Sequence, residues 1–160
     1  MNNISIRPFL DDDMPFLTKM LYEALYVPDG EAPFSPEILH QPQIRKYVEG
    51  FGSRPGDIGL IAEADGMPVG AAWCRLLRGY GYVDDKTPEL SVAVAPGWRR
   101  AGIGTSLVEA LCVRLAEAGF RRLSLSCDSR NPAIRLYRRL GFLTIRIDEG
   151  VSHIMLKPLF

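Results

Sequence analysis

The stretch Val94-Ala95-Pro96-Gly97-Trp98-Arg99-Arg100-Ala101-Gly102-Ile103-Gly104-Thr105-Ser106 decides how this chain folds. It reads as the end of a strand, a glycine-containing turn and the start of a helix. Pro96-Gly97 stops the alternation of Leu90, Val92 and Val94. From Gly102 onward, Leu107, Val108, Leu111, Cys112 and Leu115 recur at helical spacing until Gly119, a C-terminal cap. A helix N-terminus carries unpaired N–H groups and partial positive charge, which favours acids in its first turn. No acid occurs between Trp98 and Val108, and Arg99 and Arg100 stand just before the helix. Two cations beside a positive dipole end are tolerable when an anion sits among them, and bare glycine lets phosphate oxygens reach the backbone N–H groups.

Spacing separates the phosphate motifs that could occupy this loop. Gly97 and Gly102 have the separation of a Walker P-loop, but Ile103 and Gly104 follow where Lys and then Ser or Thr are needed. A dinucleotide fingerprint would require glycine at the position of Leu107.

Outward from the loop, Glu89–Ala95 is a strand, and upstream of it Ile58–Ala64 and Met67–Leu76 form a hairpin about Asp65-Gly66, a pair suited to positive φ. Ile4–Phe9 alternates as a first strand. Asp11–Asp13 and Pro15 begin a helix with Leu17, Met20, Leu21 and Ala24 on one face, and Ser35-Pro36-Glu37 begins short helical pieces through Ile44, Tyr47, Val48 and Phe51. Downstream, Leu123–Cys127 is a strand. Asn131-Pro132 caps a helix with the stripe Ala133, Leu136, Tyr137 and Leu140, ended by Gly141, and Phe142–Ile147 and Ser152–Leu156 are the last strands. One mixed α/β sheet with helices packed on it is the economical architecture.

Arg99-x-x-Gly102-x-Gly104 after a strand and before an amphipathic helix resembles the coenzyme A pyrophosphate loop of the GCN5-related N-acetyltransferase (GNAT) superfamily. The later block Asn131-Pro132-Ala133 through Leu136-Tyr137-Arg138-Arg139-Leu140-Gly141-Phe142 looks like that family's last helix, which ends in Gly-Phe, and strand order matches along the whole chain. The resemblance implies an α/β (α+β) fold with a mixed, largely antiparallel sheet of six to seven strands, about four flanking helices, and central strands splayed at an acyl-CoA cleft. It implies acetyl-CoA as cosubstrate, held by the backbone of Val92, Ala93 and Val94, by the loop Arg99, Arg100, Ala101, Gly102, Ile103, Gly104 and Thr105, and by Asn131 and Ala133. It implies direct transfer to an amine of a small molecule, peptide or protein, with Tyr137 as acid to the departing thiolate and Glu89 as base. A catalytically silent acyl-CoA sensor on the same fold is the alternative. Glu89 also reads simply as an exposed acid beside Asp84-Asp85. Arg138 and Arg139 suit a helix C-terminus without any ligand.

The acceptor site is expected in the segments Tyr22–Phe51 and Arg78–Lys86. These supply Tyr22, Tyr26, Phe34, Tyr47, Tyr80 and Tyr82 with Asp29, Glu31, Asp84 and Asp85, a mixture that suits a cationic amine.

The 160 residues include 19 Lys plus Arg, 19 Asp plus Glu and 47% apolar residues, which suits one domain, 1–160, with a full core. Zero net charge conceals a division: residues 1–97 carry 8 basic and 14 acidic side chains, and residues 98–160 carry 11 and 5. Neutrality excludes a globally basic nucleic-acid binder but not a small polyanion held by one loop. Cys74, Cys112 and Cys127 are odd in number and lack C-x-x-C spacing, which points to a reducing compartment. His40 and His153 lie in no ligand-spaced cluster, so no metal is expected. Acids in Met1–Asp13 where a leader needs a basic start, and the lack of a long apolar run, place the chain in the cytoplasm with no membrane partner. Homodimerisation is left open.

Overall fold

Alternating apolar positions in seven short segments build the scaffold that the computed structural model describes for residues 3–160; Met1 and Asn2, part of the stretch read for a leader, lie outside the described residues. Strands β1 (Ile4–Pro8), β2 (Ile58–Ala64), β3 (Met67–Arg75), β4 (Glu89–Val94), β5 (Arg122–Asp128), β6 (Leu143–Asp148) and β7 (Ser152–Pro158) form one sheet in the order β1-β2-β3-β4-β5-β7-β6. Helices α1 (Met14–Ala24), α2 (Pro42–Arg45), α3 (Ile103–Glu117) and α4 (Ala133–Arg139) flank it, with 3-10 turns at Asp11–Asp13 and Pro36–His40. This is the mixed, mostly antiparallel architecture that the family resemblance implies. No helix among the described residues is long and apolar enough to cross a membrane.

The β2–β3 hairpin turns at Asp65 and Gly66, whose φ values of 50° and 84° meet the demand of a tight turn. Side chains alternate between two cores. Leu107, Leu111 and Leu115 of α3 pack with Leu60, Ala72, Leu90 and Leu125 on one face, and Leu17, Met20 and Leu21 of α1 pack with Tyr47, Phe51, Ile61 and Trp73 on the other. Arg75 is also buried on that second side. Its guanidinium meets Asp57 at 2.9 Å, and both side chains are nearly inaccessible, at 1% and 0%.

Every neighbouring pair is antiparallel except β4 and β5, which run parallel and pair in register only at Glu89 and Ser124. Beyond that point they diverge. The backbone of β4 bonds β3 through alternate residues, as Ala95 N–H to Val69 O shows, so Ala93 and Ser91 turn their main chain to β3. Val92 and Val94 turn theirs toward the gap. An open strand edge in the middle of a sheet is a liability unless something occupies it.

Candidate active site

An open cleft of about 820 Å³ occupies this gap, walled by Val92–Val94, the residue 98–105 turn, the start of α4 and the end of α1. It lies within the ~300–1,000 Å³ range of small-molecule sites. The turn holds left-handed residues at Gly97, Arg100 and Gly102, with φ of 91°, 64° and 81°. Such turns collect N–H groups around a concavity that attracts anions. Gly102 is the N-cap of α3, no side chain caps it, and the first turn has no acid. A Cβ on Gly102 would meet nothing within 4 Å, and one on Gly104 would stand in the cleft 3.8 Å from Val94 Cγ2. Bare backbone, a positive helix end and an open cradle together fit a pyrophosphate group.

The two arginines of this turn are not equivalent. Arg99 folds back, its Nε donating to Val94 O at 2.9 Å and its Nη2 meeting Glu23 of α1 at 2.9 Å. Arg100 is exposed and makes no side-chain hydrogen bond among the described residues. Glu23 carries no motif that would have marked it in the sequence, because its pairing with Arg99 spans 76 positions.

Across the cleft, Asn131 Oδ1 accepts from Ala133 N–H at 3.0 Å and so caps α4. Ala133, Leu136, Tyr137 and Arg139 line the opening. The residue of α4 that enters the core is Ile134, at 7% exposure, whereas the expected stripe of Ala133, Leu136, Tyr137 and Leu140 is only half-buried. The helix lies between the core and the open cleft: Tyr137 and Leu140 pack against the core, while Ala133, Leu136 and Tyr137 also line the opening. The Tyr137 ring packs edge-on against Phe142 at 5.9 Å, and burial raises its phenol above the ordinary value.

Glu89 is not an exposed acid. It is 4% exposed, and Tyr47 Oη donates to its Oε2 at 2.6 Å. Oε1 is buried without a full hydrogen-bond partner among the described residues. Glycines roof it: a Cβ on Gly79 would fall 2.7 Å from Oε1, and one on Gly81 would fall 3.0 Å from the carboxyl carbon and 2.8 Å from the Leu125 carbonyl carbon. Hence only glycine fits at these two positions. Glu89 lies at the closed end of the β4–β5 gap, beyond the walls of the main cleft. Burial pushes its pKa up to about 7, against the opposing pull of the Tyr47 hydroxyl, the Gly81 N–H and Lys46.

That shift has a stability consequence. A carboxyl that rises from 4.5 to about 7 on folding binds more protons folded than unfolded between those values, so stability falls as pH rises through this window. At ~1.4 kcal/mol per unit the cost is about 3 kcal/mol above pH 7. The advantage of Glu89→Gln over the parent chain in urea unfolding should therefore grow by ~2–3 kcal/mol between pH 4.5 and pH 8. A constant difference across that range would show that Glu89 is not ionised late.

Of the expected acceptor residues, Tyr22, Tyr26 and Phe34 line the main cleft. The Tyr26 hydroxyl crosses to Arg130 O at 3.1 Å, and Tyr22 bonds Phe34 O. Tyr47 and Tyr80 gather at Glu89, while Tyr82, Asp84 and Asp85 bond with one another's neighbours, Arg122 and Arg146 among them. His153 Nδ1 meets Thr144 at 2.9 Å, and His40 stands beside Glu37.

Residues 18–142 match the acetyltransferase (GNAT) family model. The chain is 31% identical over 114 residues to an N-alpha-acetyltransferase of Sulfurisphaera tokodaii, covering 62% of this chain and 68% of that one. It is 35% identical over 133 residues to a mycothiol acetyltransferase of Actinosynnema mirum, covering 81% of this chain but only 39% of the relative. The chain thus spans about two fifths of the length of that relative. The structure superposes on yncA of Salmonella typhimurium, solved with its cofactor acetyl-CoA, with a TM-score of 0.71 and 21% identity over 99% of this chain and 95% of the other. With residues 18–142, more than half its length, matching that family's model, the chain belongs to the GNAT acetyltransferases.

Proposed function

We propose that residues 1–160 act as a single acetyl-CoA dependent N-acetyltransferase domain that passes the acetyl group directly to an amine. The observation that carries this reading is one cleft shared by the edge of β4 at Val92 and Val94 where β5 diverges, an acid-free helix N-terminus at Gly102–Thr105, and the Tyr137 ring. The named relatives and the yncA complex with acetyl-CoA support it.

Acetyl-CoA supplies a thioester carbonyl whose carbon accepts the amine nitrogen while the C–S bond breaks. The loop from Arg99 to Thr105 binds the pyrophosphate through N–H groups and the Arg100 charge. The outward N–H and C=O groups of Val92 and the N–H of Val94, whose carbonyl already accepts from Arg99, pair with the amide-bearing arm and so complete the sheet edge, with Asn131 and Ala133 closing the opposite wall. Tyr137 donates a hydrogen bond to sulfur as negative charge collects there; its proton passes to the thiolate as the C–S bond breaks, and the phenol regains one from the attacking nitrogen. Glu89 takes the other proton from the ammonium form of the acceptor; a base near pH 7 suits that task. The aromatic lining contributed by Tyr22, Tyr26 and Phe34 faces the acceptor. Small amines and peptide N-termini both fit this chemistry.

Binding of acetyl-CoA by calorimetry tests the cleft assignment. The double variant Arg99→Ala, Arg100→Ala should bind ~10–100-fold more weakly, since hydrogen bonds to charged groups contribute about 1.5–3 kcal/mol each. Unchanged affinity would remove the phosphate from this loop. Thiol release from acetyl-CoA against a panel of small amines, amino acids and peptides tests catalysis. Binding without release by any acceptor would make the chain an acyl-CoA sensor.

A further inference from the structure

We propose that Tyr47 is the positioning residue for Glu89, its hydroxyl clamping Oε2 so that Oε1, between the Gly79–Gly81 segment and the β5 backbone, is the oxygen left to take the acceptor's proton. The inference rests on the reading of Glu89 as the base and adds the group that aims it. The Tyr47 hydroxyl accepts from the Tyr80 N–H at 2.8 Å while donating to Glu89 at 2.6 Å. Because one lone pair is taken by a backbone donor, the hydroxyl hydrogen is committed to the carboxylate. The ring cannot drift: Tyr47 is buried among the residues under α1, and its carbonyl accepts from Trp73 Nε1 at 3.1 Å. The main chain of Tyr47, the roofing segment and the sheet are therefore tied into one rigid support.

The other charged groups near Glu89 are occupied. Arg75 stands opposite it in the β3–β4 ladder, but its guanidinium is consumed by Asp57 and by the carbonyls of Lys46 and Glu49. Lys46 adds a favourable field, while its ammonium donates to Arg78 O. On β5, Ser124 stands in register with Glu89, and the Arg122 guanidinium two residues before it is taken by Asp84. Tyr47 is thus the one side chain that hydrogen-bonds the carboxylate among the described residues. The orphaned Oε1 marks where a further polar group belongs, because a buried acceptor without a partner costs stability. In the transfer, the acceptor's N–H bond breaks in the cleft, its proton is relayed through water to the enclosed carboxylate, an O–H bond forms at Oε1, and the proton returns to solvent when product leaves.

The full chain and its variants Tyr47→Phe, Glu89→Gln and the double variant test this. Two readouts are needed: urea unfolding from pH 5 to pH 9, and the pH profile of thiol release from acetyl-CoA with the amine panel. Tyr47→Phe keeps the ring and removes the bond that favours the charged carboxylate. It should move the pH midpoint of Glu89's effect on stability up by about one unit, and the acid limb of kcat/KM with it. The rate should fall about fivefold at pH 7 and recover toward pH 9, with acetyl-CoA affinity unchanged. Against the Glu89→Gln background, the same substitution should change stability by an amount independent of pH. A rate lowered equally at every pH, with the limb and midpoint unmoved, would overturn the proposal and leave Tyr47 as packing. If instead Glu89→Gln retains the parent rate and profile, Glu89 is not the base, and the reading falls together with the residue proposed to aim it.

Discussion

Tyr137→Phe is expected to lower turnover about a hundredfold while leaving the dissociation constant for acetyl-CoA within about twofold. The expectation comes from what the hydroxyl does in the geometry described. The ring lies on the cleft side of α4 and packs against Phe142, so phenylalanine preserves the wall that the coenzyme arm touches. In the mechanism proposed above, what disappears is a donor to sulfur that acts only as the C–S bond breaks. A contribution made in the transition state alone appears in kcat and not in ground-state binding, and removal of one positioned proton donor costs typically 10²–10⁴ in rate. Burial raises the phenol's pKa, so Tyr137 stays protonated across the working range and its loss should leave the shape of the pH profile unchanged. Steady-state thiol release and calorimetry on the same variant separate the two effects. Turnover equal to the parent chain would assign Tyr137 to packing alone.

The largest effect on folding should come from Arg75→Met, with a loss of ~3–5 kcal/mol in urea unfolding, the range found when one partner of a buried ion pair is removed. Arg75 binds Asp57 through Nε and Nη2, each at 2.9 Å, and its Nη1 donates to Lys46 O and Glu49 O at 3.0 and 2.7 Å. Methionine fills much of the space but satisfies none of these acceptors, leaving a carboxylate with 0% side-chain exposure. Burial alone would raise the Asp57 pKa; the Arg75 bond and the Arg54 and Gly52 N–H groups outweigh it and hold the pKa below the ordinary value. A depressed carboxyl contributes stability above its unfolded pKa and loses it as pH falls through the folded one. The deficit of Arg75→Met should therefore be full at pH 7 and shrink toward pH 3. A loss under 1 kcal/mol at pH 7 would show that water reaches the site.

The two effects differ in how visible they are from residue order alone. The loop from Arg99 to Thr105 was legible because its function is written in backbone: glycine spacing, absent acids and a following helical stripe are all local. The same holds for the hairpin at Asp65-Gly66, whose positive φ values follow from residue type. Tyr137 was legible through its place in the stripe of α4, which packs against the core at Tyr137 and Leu140 and borders the opening at Ala133 and Leu136, with Ile134 the most buried residue of the helix. Arg75 gave no such sign. Nothing in Met67–Arg75 distinguishes a strand-end arginine that reaches solvent from one that anchors a buried carboxylate 18 positions upstream.

Glu89 lies between these cases. Its position at the head of the central strand was readable, but whether it is a solvated acid or a buried base depends on Tyr47, 42 residues earlier, and on the Gly79–Gly81 roof. The two glycines in Gly79-Tyr80-Gly81-Tyr82 were visible as a flexible connection; that they admit the chain to within contact of a carboxyl group became clear only when the roof was placed. Arg99 shows the reverse. Read as a free phosphate ligand, it is held by Glu23 and the Val94 carbonyl, leaving Arg100 as the uncommitted charge.

Residue order by itself determined the succession of strands and helices, the turn geometry and the anion-binding loop, because periodicity, capping and glycine conformation act over a few residues. Tertiary structure alone decided where β4 and β5 part, that Arg99 is engaged by Glu23, and that the Glu89 carboxylate is buried and hydrogen-bonded by Tyr47. Burial and pairing arise between segments far apart in the chain, and the desolvation that changes a side chain's chemistry exists only once those segments close over it.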